Sequence, residues 1–156
     1  MMRHGKSDWQ AGYARDHDRP LNDRGIESAK VMGRVLTDRG LAPDHVISSS
    51  AVRAEITARL AAEAGGWQGA IAIDPVLYGA SPHEVIHVAA HAPDVGRLML
   101  VGHQPTWAAT VYELTGKDIE MKTASVAVIE SQIESWHELF DGMGQLVETL
   151  YPRDFM

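Results

Sequence analysis

The chain has 156 residues, of which 45% are hydrophobic and 22% charged, which is enough for one globular domain over residues 1–156 with a full core. A formal net charge of −7 disfavours nucleic acid and anionic membranes as partners, and no apolar run reaches the roughly 20 residues of a membrane span. The absence of cysteine excludes disulfides and thiolate catalysis, and without an apolar leader the expected compartment is the cytoplasm.

Predicted helices and strands alternate along the chain. Asn22 can cap a helix that runs to about Arg39, and Ser81 with Glu84 forms the pattern of a capping box. Helices between strands imply right-handed crossovers over a mainly parallel sheet with an antiparallel edge, that is, a single three-layer α/β/α domain. The other expected helices are 50–64, 82–92 and 105–115, and the expected strands after the first are 45–48, 70–73, 97–101, 125–130, 135–140 and 145–151.

Three segments that carry histidine or arginine come where predicted parallel strands end. Arg3-His4-Gly5 stands at the start of the chain, Ser49 to Arg53 follows the 45–48 strand, and Gly102-His103 follows the 97–101 strand. In open α/β sheets ligands bind beyond the carboxyl ends of the strands. We therefore expect the three segments to converge.

These residue types suit phosphoryl transfer through a phosphohistidine. Arg3 and Arg53 can bind the equatorial oxygens of a phosphoryl group in bidentate fashion while staying protonated. His4 can attack phosphorus if its other ring nitrogen donates to a backbone carbonyl, and Gly5 allows the backbone to come close. His103 would donate to the non-bridging oxygens, assisted by free amides of the helix that follows it.

Each residue taken alone also has an ordinary structural explanation. An arginine in the first turn of a helix is commonly a solvated charge, and a histidine in a strand-to-helix turn is commonly satisfied by backbone. It is the order of the segments and their shared position at strand ends that favours the functional interpretation.

Four motifs carry a family resemblance: residues 3–9, 18–25, 49–58 and 102–105. On these motifs the chain resembles the histidine phosphatase superfamily, also called phosphoglycerate mutase-like, and within it the SixA-type phosphohistidine phosphatases. In that family the histidine of the Arg-His-Gly motif is phosphorylated and two arginines and a second histidine cradle the phosphate. The resemblance implies these roles for His4, Arg3, Arg53 and His103, and a further phosphate contact for Arg19.

Two departures from the family pattern stand out. Only Met1 and Met2 precede the Arg-His-Gly motif where relatives have a longer strand, so either this strand is short or the native chain starts further upstream. Mutase-like members also have a proton-donating glutamate in a segment that corresponds to residues 76–81, which here holds no carboxylate. Glu84 is the nearest, and its capping position explains it more simply. SixA-type members share this lack.

A second motif offers an alternative hypothesis. Residues 83–87 match the H-E-x-x-H signature of zinc hydrolases. In that chemistry His83 and His87 would bind zinc and Glu84 would activate water. Glu84 is expected in the helix cap, however, and the histidines fall opposite the apolar face of the helix. The motif therefore predicts an exposed histidine stripe and no metal site.

The sequence as a whole predicts a phosphatase that needs neither metal nor cofactor and acts on phosphohistidine carried by a protein domain. Small phosphomonoesters are the alternative substrates. A third hypothesis is a module that binds phosphorylated partners without turnover, although such a module would not need His4.

Overall fold

Six strands form one sheet in the computed structural model, which describes residues 1–156. No helix in it combines the length and the apolarity that crossing a bilayer requires. The strands are β1 (Met2–Arg3), β2 (His45–Ser48), β3 (Ala70–Ile73), β4 (Leu98–Gly102), β5 (Val126–Ser131) and β6 (Gly144–Leu150). The helices are α1 (Asp23–Asp38), α2 (Val52–Gly65), α3 (Pro82–Ala90) and α4 (Thr106–Thr115), with 3₁₀ turns at Asp16–Asp18, Pro75–Leu77, Trp136–Glu138 and Pro152–Phe155.

The strand order is β3-β2-β4-β1-β5-β6. The first four strands are parallel to one another, β5 is antiparallel to β1, and β6 is antiparallel to β5. The predicted mainly parallel sheet with an antiparallel edge is confirmed. Because β1, β2 and β4 are parallel neighbours, their carboxyl ends lie at one edge of the sheet.

Helices cover both faces of the sheet, as the alternation of strand residues requires. Val46 and Met99 pack in a cluster with the apolar residues of α1 and α2. Their neighbours Ile47 and Leu100 point the other way and pack with α3 and α4. The molecule therefore has the three layers that the helix and strand order predicted.

The helix caps hold the predicted elements in place. The side chain of Asn22 accepts a hydrogen bond from the amide of Gly25 at 2.8 Å, which starts α1. Ser81 and Glu84 form the predicted capping box at α3, with both reciprocal hydrogen bonds present.

One predicted strand is wrong. Residues 135–140 do not pair with the sheet and instead contain the 3₁₀ turn Trp136–Glu138. The side chain of Ser135 caps this turn and Glu138 bonds back to the amide of Ser135, so local capping replaces strand pairing. The antiparallel edge thus consists of β5 and β6 alone.

Candidate active site

His4 occupies the loop after β1 and is only 7% exposed. Its Nδ1 lies 2.6 Å from the carbonyl oxygen of Gly5. Because a carbonyl only accepts hydrogen bonds, Nδ1 carries the proton and Nε2 keeps its lone pair. The loop itself is fixed, since the Gly5 amide donates to Oγ1 of Thr57 at 2.9 Å. A β-carbon at Gly5 would lie 2.8 Å from the carbonyl oxygen of Gly25, so glycine permits this close contact with α1.

His103 follows β4 and faces His4, with 5.3 Å between the ring centroids. Its Nε2 lies 2.8 Å from Oγ of Ser49, a fully buried residue that follows β2. The ends of three parallel strands therefore meet as the sequence predicts. Gly102 is required beside His103, because a β-carbon there would lie 2.1 Å from the Trp107 ring.

Both imidazoles are held in the neutral form. Burial lowers the pKa of His4 to about 3, against the opposing effect of its hydrogen bond to Gly5. Burial and the nearby charge of Arg53 lower the pKa of His103 to about 4. At neutral pH the Nε2 lone pair of His4 is consequently available as a nucleophile.

A basic cleft of about 470 Å³ unites the predicted site residues. Its lining carries no carboxylate and only one apolar side chain, Trp9. In a chain of net charge −7 this local concentration of positive charge suits the binding of an anion. The cations that line it are Arg3, Lys6, Arg19, Arg53 and Lys122, and the histidines are His4 and His103.

The arginines are held by specific contacts. Arg3 donates to the carbonyl oxygen of Met121 at 3.0 Å. Arg19 is 5% exposed and donates through Nε to Oγ of Ser7 at 2.9 Å. Its guanidinium group also stacks over Trp9, with Cζ 3.6 Å from the ring centroid. Arg53 is 6% exposed and extends from the first turn of α2. Such restraint lowers the entropy lost when the guanidinium groups bind an anion.

The sequence analysis did not identify two further candidate site residues, Asp16 and Tyr78. Asp16 forms ion pairs with Arg53, at 3.1 Å, and with Arg19. The phenol of Tyr78 donates to the same carboxylate at 2.8 Å. Asp16 lies three residues before Arg19 in a 3₁₀ turn, a spacing that brings the two side chains together. Tyr78 belongs to the very segment, 76–81, in which the sequence offers no carboxylate.

The start of α4 differs from the expectation of free amides beside His103. The amide of Trp107 donates to the carbonyl oxygen of His103 at 2.9 Å. The amide of Ala108 donates to the side chain of Gln104 at 2.8 Å. These two donors are thus engaged within the protein.

The family model described as histidine phosphatase superfamily (branch 1) matches residues 1–78. The chain belongs to the histidine phosphatase superfamily. A protein of unknown function from Mycobacterium tuberculosis is 34% identical over 97% of this chain and all of its own length. The segment that the family model matches contains Arg3, His4, Arg19 and Arg53.

Solved histidine phosphatases share the whole fold. A protein assigned as the phosphohistidine phosphatase SixA of Agrobacterium tumefaciens is 28% identical, covers 97% of this chain and 95% of its own, and superposes with a TM-score of 0.81. The protein histidine phosphatase SixA in complex with tungstate is 22% identical over 99% of this chain and 97% of its own, with a TM-score of 0.84, and shows likeness of fold. This histidine phosphatase is accordingly of the SixA type, an enzyme that acts through histidine and not through a metal ion.

The H-E-x-x-H residues of this histidine phosphatase lie outside the cleft. Glu84 accepts from the Ser81 amide at 3.0 Å in the capping box, as predicted, so it is not free to activate water. His83 and His87 are exposed, and the side chains close enough to His83 to share an ion are Glu113 and Asp141, not His87. A second cavity of about 380 Å³ is lined mainly by apolar side chains and by none of the predicted site residues.

Proposed function

We propose that His4 receives the phosphoryl group and that the substrate is phosphohistidine on a protein. The role of His4 rests on the hydrogen bond from its Nδ1 to the carbonyl oxygen of Gly5. This bond leaves a neutral Nε2 facing a cleft that is lined by three arginines. An imidazole fixed in this tautomer, beside groups that bind phosphate, has what in-line attack on phosphorus requires.

Arg3, Arg19 and Arg53 would bind the non-bridging oxygens, and His103 would donate to one of them. Three buried nitrogens of this group have no hydrogen-bond partner: Nε of Arg3, Nε of Arg53 and Nδ1 of His103. Buried polar atoms normally have partners, so these nitrogens fit a site that an anion completes. A phosphoryl dianion would also favour protonation of His103, whose pKa is low in the free cleft.

The reaction then has two displacements. Nε2 of His4 forms a bond to phosphorus while the bond to the leaving group breaks. Water next attacks phosphorus, the bond to Nε2 breaks, and inorganic phosphate is released. Nδ1 of His4 keeps its proton throughout and donates it in a hydrogen bond to the carbonyl oxygen of Gly5. His4 is therefore released in the second step as a neutral imidazole.

The shape of the cleft supports a substrate carried by a protein. Its one apolar lining residue, Trp9, is 69% exposed, so the cleft has no enclosed apolar subsite for a small organic group. A small phosphomonoester would gain little beyond its phosphate contacts there. A protein domain brings its own surface to the rim, where it can add contacts.

Steady-state rates on three substrates test the proposal: a phosphohistidine-bearing carrier domain, para-nitrophenyl phosphate and a sugar phosphate. We expect kcat/KM to be largest for the carrier domain and to vanish for all three in His4→Ala, with the fold retained by circular dichroism. Sugar phosphate turned over as fast as the carrier domain would indicate a small-molecule phosphatase. Binding of the carrier domain without phosphate release would indicate a non-catalytic module.

A further inference from the structure

Asp16 is the carboxylate that pairs with the arginines of the cleft. One carboxylate oxygen lies 3.1 Å from Nη2 of Arg53, and the other accepts from Nη1 of Arg19. The main-chain oxygen of Asp16 accepts from Nη1 of Arg53 at 2.9 Å. Oη of Tyr78 completes the arrangement at 2.8 Å. This carboxylate is thus held at the phosphate-binding groups from outside the cleft lining.

Asp16 and Tyr78 lie on the side of the cleft from which a leaving group would depart. His4 is 7% exposed and attacks from the buried floor, whereas the side chain of Asp16 is 51% exposed and Tyr78 is 37% exposed. In-line displacement places the leaving group opposite the nucleophile, which here is the solvent side. A leaving group therefore departs past the rim where Asp16 and Tyr78 lie.

The charge state of Asp16 decides what it can do there. Desolvation raises its pKa, but the hydrogen bonds from Tyr78 and the two guanidinium groups together lower it more, to about 2. An ionised carboxylate only accepts hydrogen bonds, so Asp16 is not poised to protonate an ester oxygen. A phosphoryl group that engages Arg19 and Arg53 takes over donors that Asp16 now uses, which leaves this acceptor for the substrate.

We propose that Asp16 selects phosphorylated imidazole by accepting a hydrogen bond from the ring nitrogen of the substrate that does not carry phosphorus. Tyr78 acts as a positioning residue that holds the carboxylate. The inference rests on the proposed phosphoryl transfer to His4. In that step the substrate P–N bond breaks as the bond from phosphorus to Nε2 of His4 forms, and the N–H proton stays on the substrate ring.

The hydrogen bond from the substrate N–H to Asp16 favours phosphoimidazoles over phosphate esters. With its N–H proton kept in place, a phosphoimidazole leaves as neutral imidazole and needs no added proton. An alcohol or phenol esterified to phosphate has no such N–H to offer, so Asp16 gives it no help. Because hydrogen bonds to charged groups are among the stronger ones, we expect discrimination of about 10- to 100-fold.

The test compares Asp16→Asn with the wild type on a phosphohistidine peptide and on para-nitrophenyl phosphate. We expect the ratio of kcat/KM values, peptide over ester, to fall about 10- to 100-fold, because asparagine keeps the size of the side chain and loses its charge. Tyr78→Phe should lower the same ratio by less. Asp18→Asn is the matched control, since Asp18 is in the same turn but pairs with Arg15 outside the cleft, and its ratio should not change.

Three results would overturn the inference. An equal loss on both substrates would mean that Asp16 only positions the arginines. A loss concentrated on alkyl phosphates would mean that Asp16 acts as a general acid. If the wild type hydrolyses the ester but not the phosphohistidine peptide, the proposed substrate fails together with the inference, whereas the first two results leave the proposed substrate standing.

Discussion

Replacing Arg53 by lysine should lower kcat/KM by about 10- to 100-fold. Arg53 presents two nitrogens, Nη1 and Nη2, both of which now contact Asp16, and in the proposed mechanism this fork binds the phosphoryl oxygens. Lysine keeps the positive charge but has one ammonium group, so one charge-assisted hydrogen bond is lost. Such a bond contributes about 1.5–3 kcal/mol, which corresponds to the expected range of rates.

The assay is hydrolysis of para-nitrophenyl phosphate, with tungstate as a competitive inhibitor to measure oxyanion affinity. Arg59→Lys is the matched control, because Arg59 lies on the same helix, is half exposed and pairs only with Glu55. Its rate should equal that of the wild type. A rate within about 2-fold of the wild type for Arg53→Lys, or an equal loss for Arg59→Lys, would refute a fork-like phosphate contact at Arg53.

Four further predictions follow from the same site. Among phosphate esters kcat/KM should depend steeply on leaving-group pKa, because no carboxylic acid is poised to donate a proton, and sugar phosphates turned over as fast as nitrophenyl phosphate would contradict this. In NMR titrations His4 and His103 should remain neutral from pH 7 to pH 5, since burial lowers their pKa values to about 3 and about 4, and an inflection near 6.5 in either would be contrary evidence. The same burial should make the free energy of unfolding decrease as the pH falls from about 6.5 toward 4, because the unfolded chain then binds protons that the folded chain excludes. A strong chelator should leave the rate unchanged, because guanidinium groups supply the positive charge, whereas loss of activity that zinc restores would favour a metal mechanism.

Residues whose position depends on parallel strand ends were predictable from the sequence. Arg53 and His103 each follow a strand that a short apolar run identifies, and His4 follows the Met1-Met2 start of the chain. The edge at which such strands end is set by topology. Arg19 could be assigned only through the family resemblance, because it lies in a loop and reaches the cleft through its contact with Ser7.

Two features of the structure were missed by the sequence analysis. The sequence analysis expects a strand at residues 135–140, yet Ser135 and Glu138 cap a 3₁₀ turn there. Asp16 is separated from Tyr78 by 62 residues, and nothing in either segment indicates that their side chains meet. Only the packing of the loop after β1 against the segment that precedes α3 creates that contact.

Trapping the covalent intermediate tests the central claim most directly. Brief incubation with substrate, an acid-free quench and peptide mapping should locate an acid-labile, base-stable phosphoryl group on His4. The His4→Ala variant should show no adduct and no turnover while keeping its circular dichroism spectrum. An adduct on any other residue, or turnover by His4→Ala, would contradict the account.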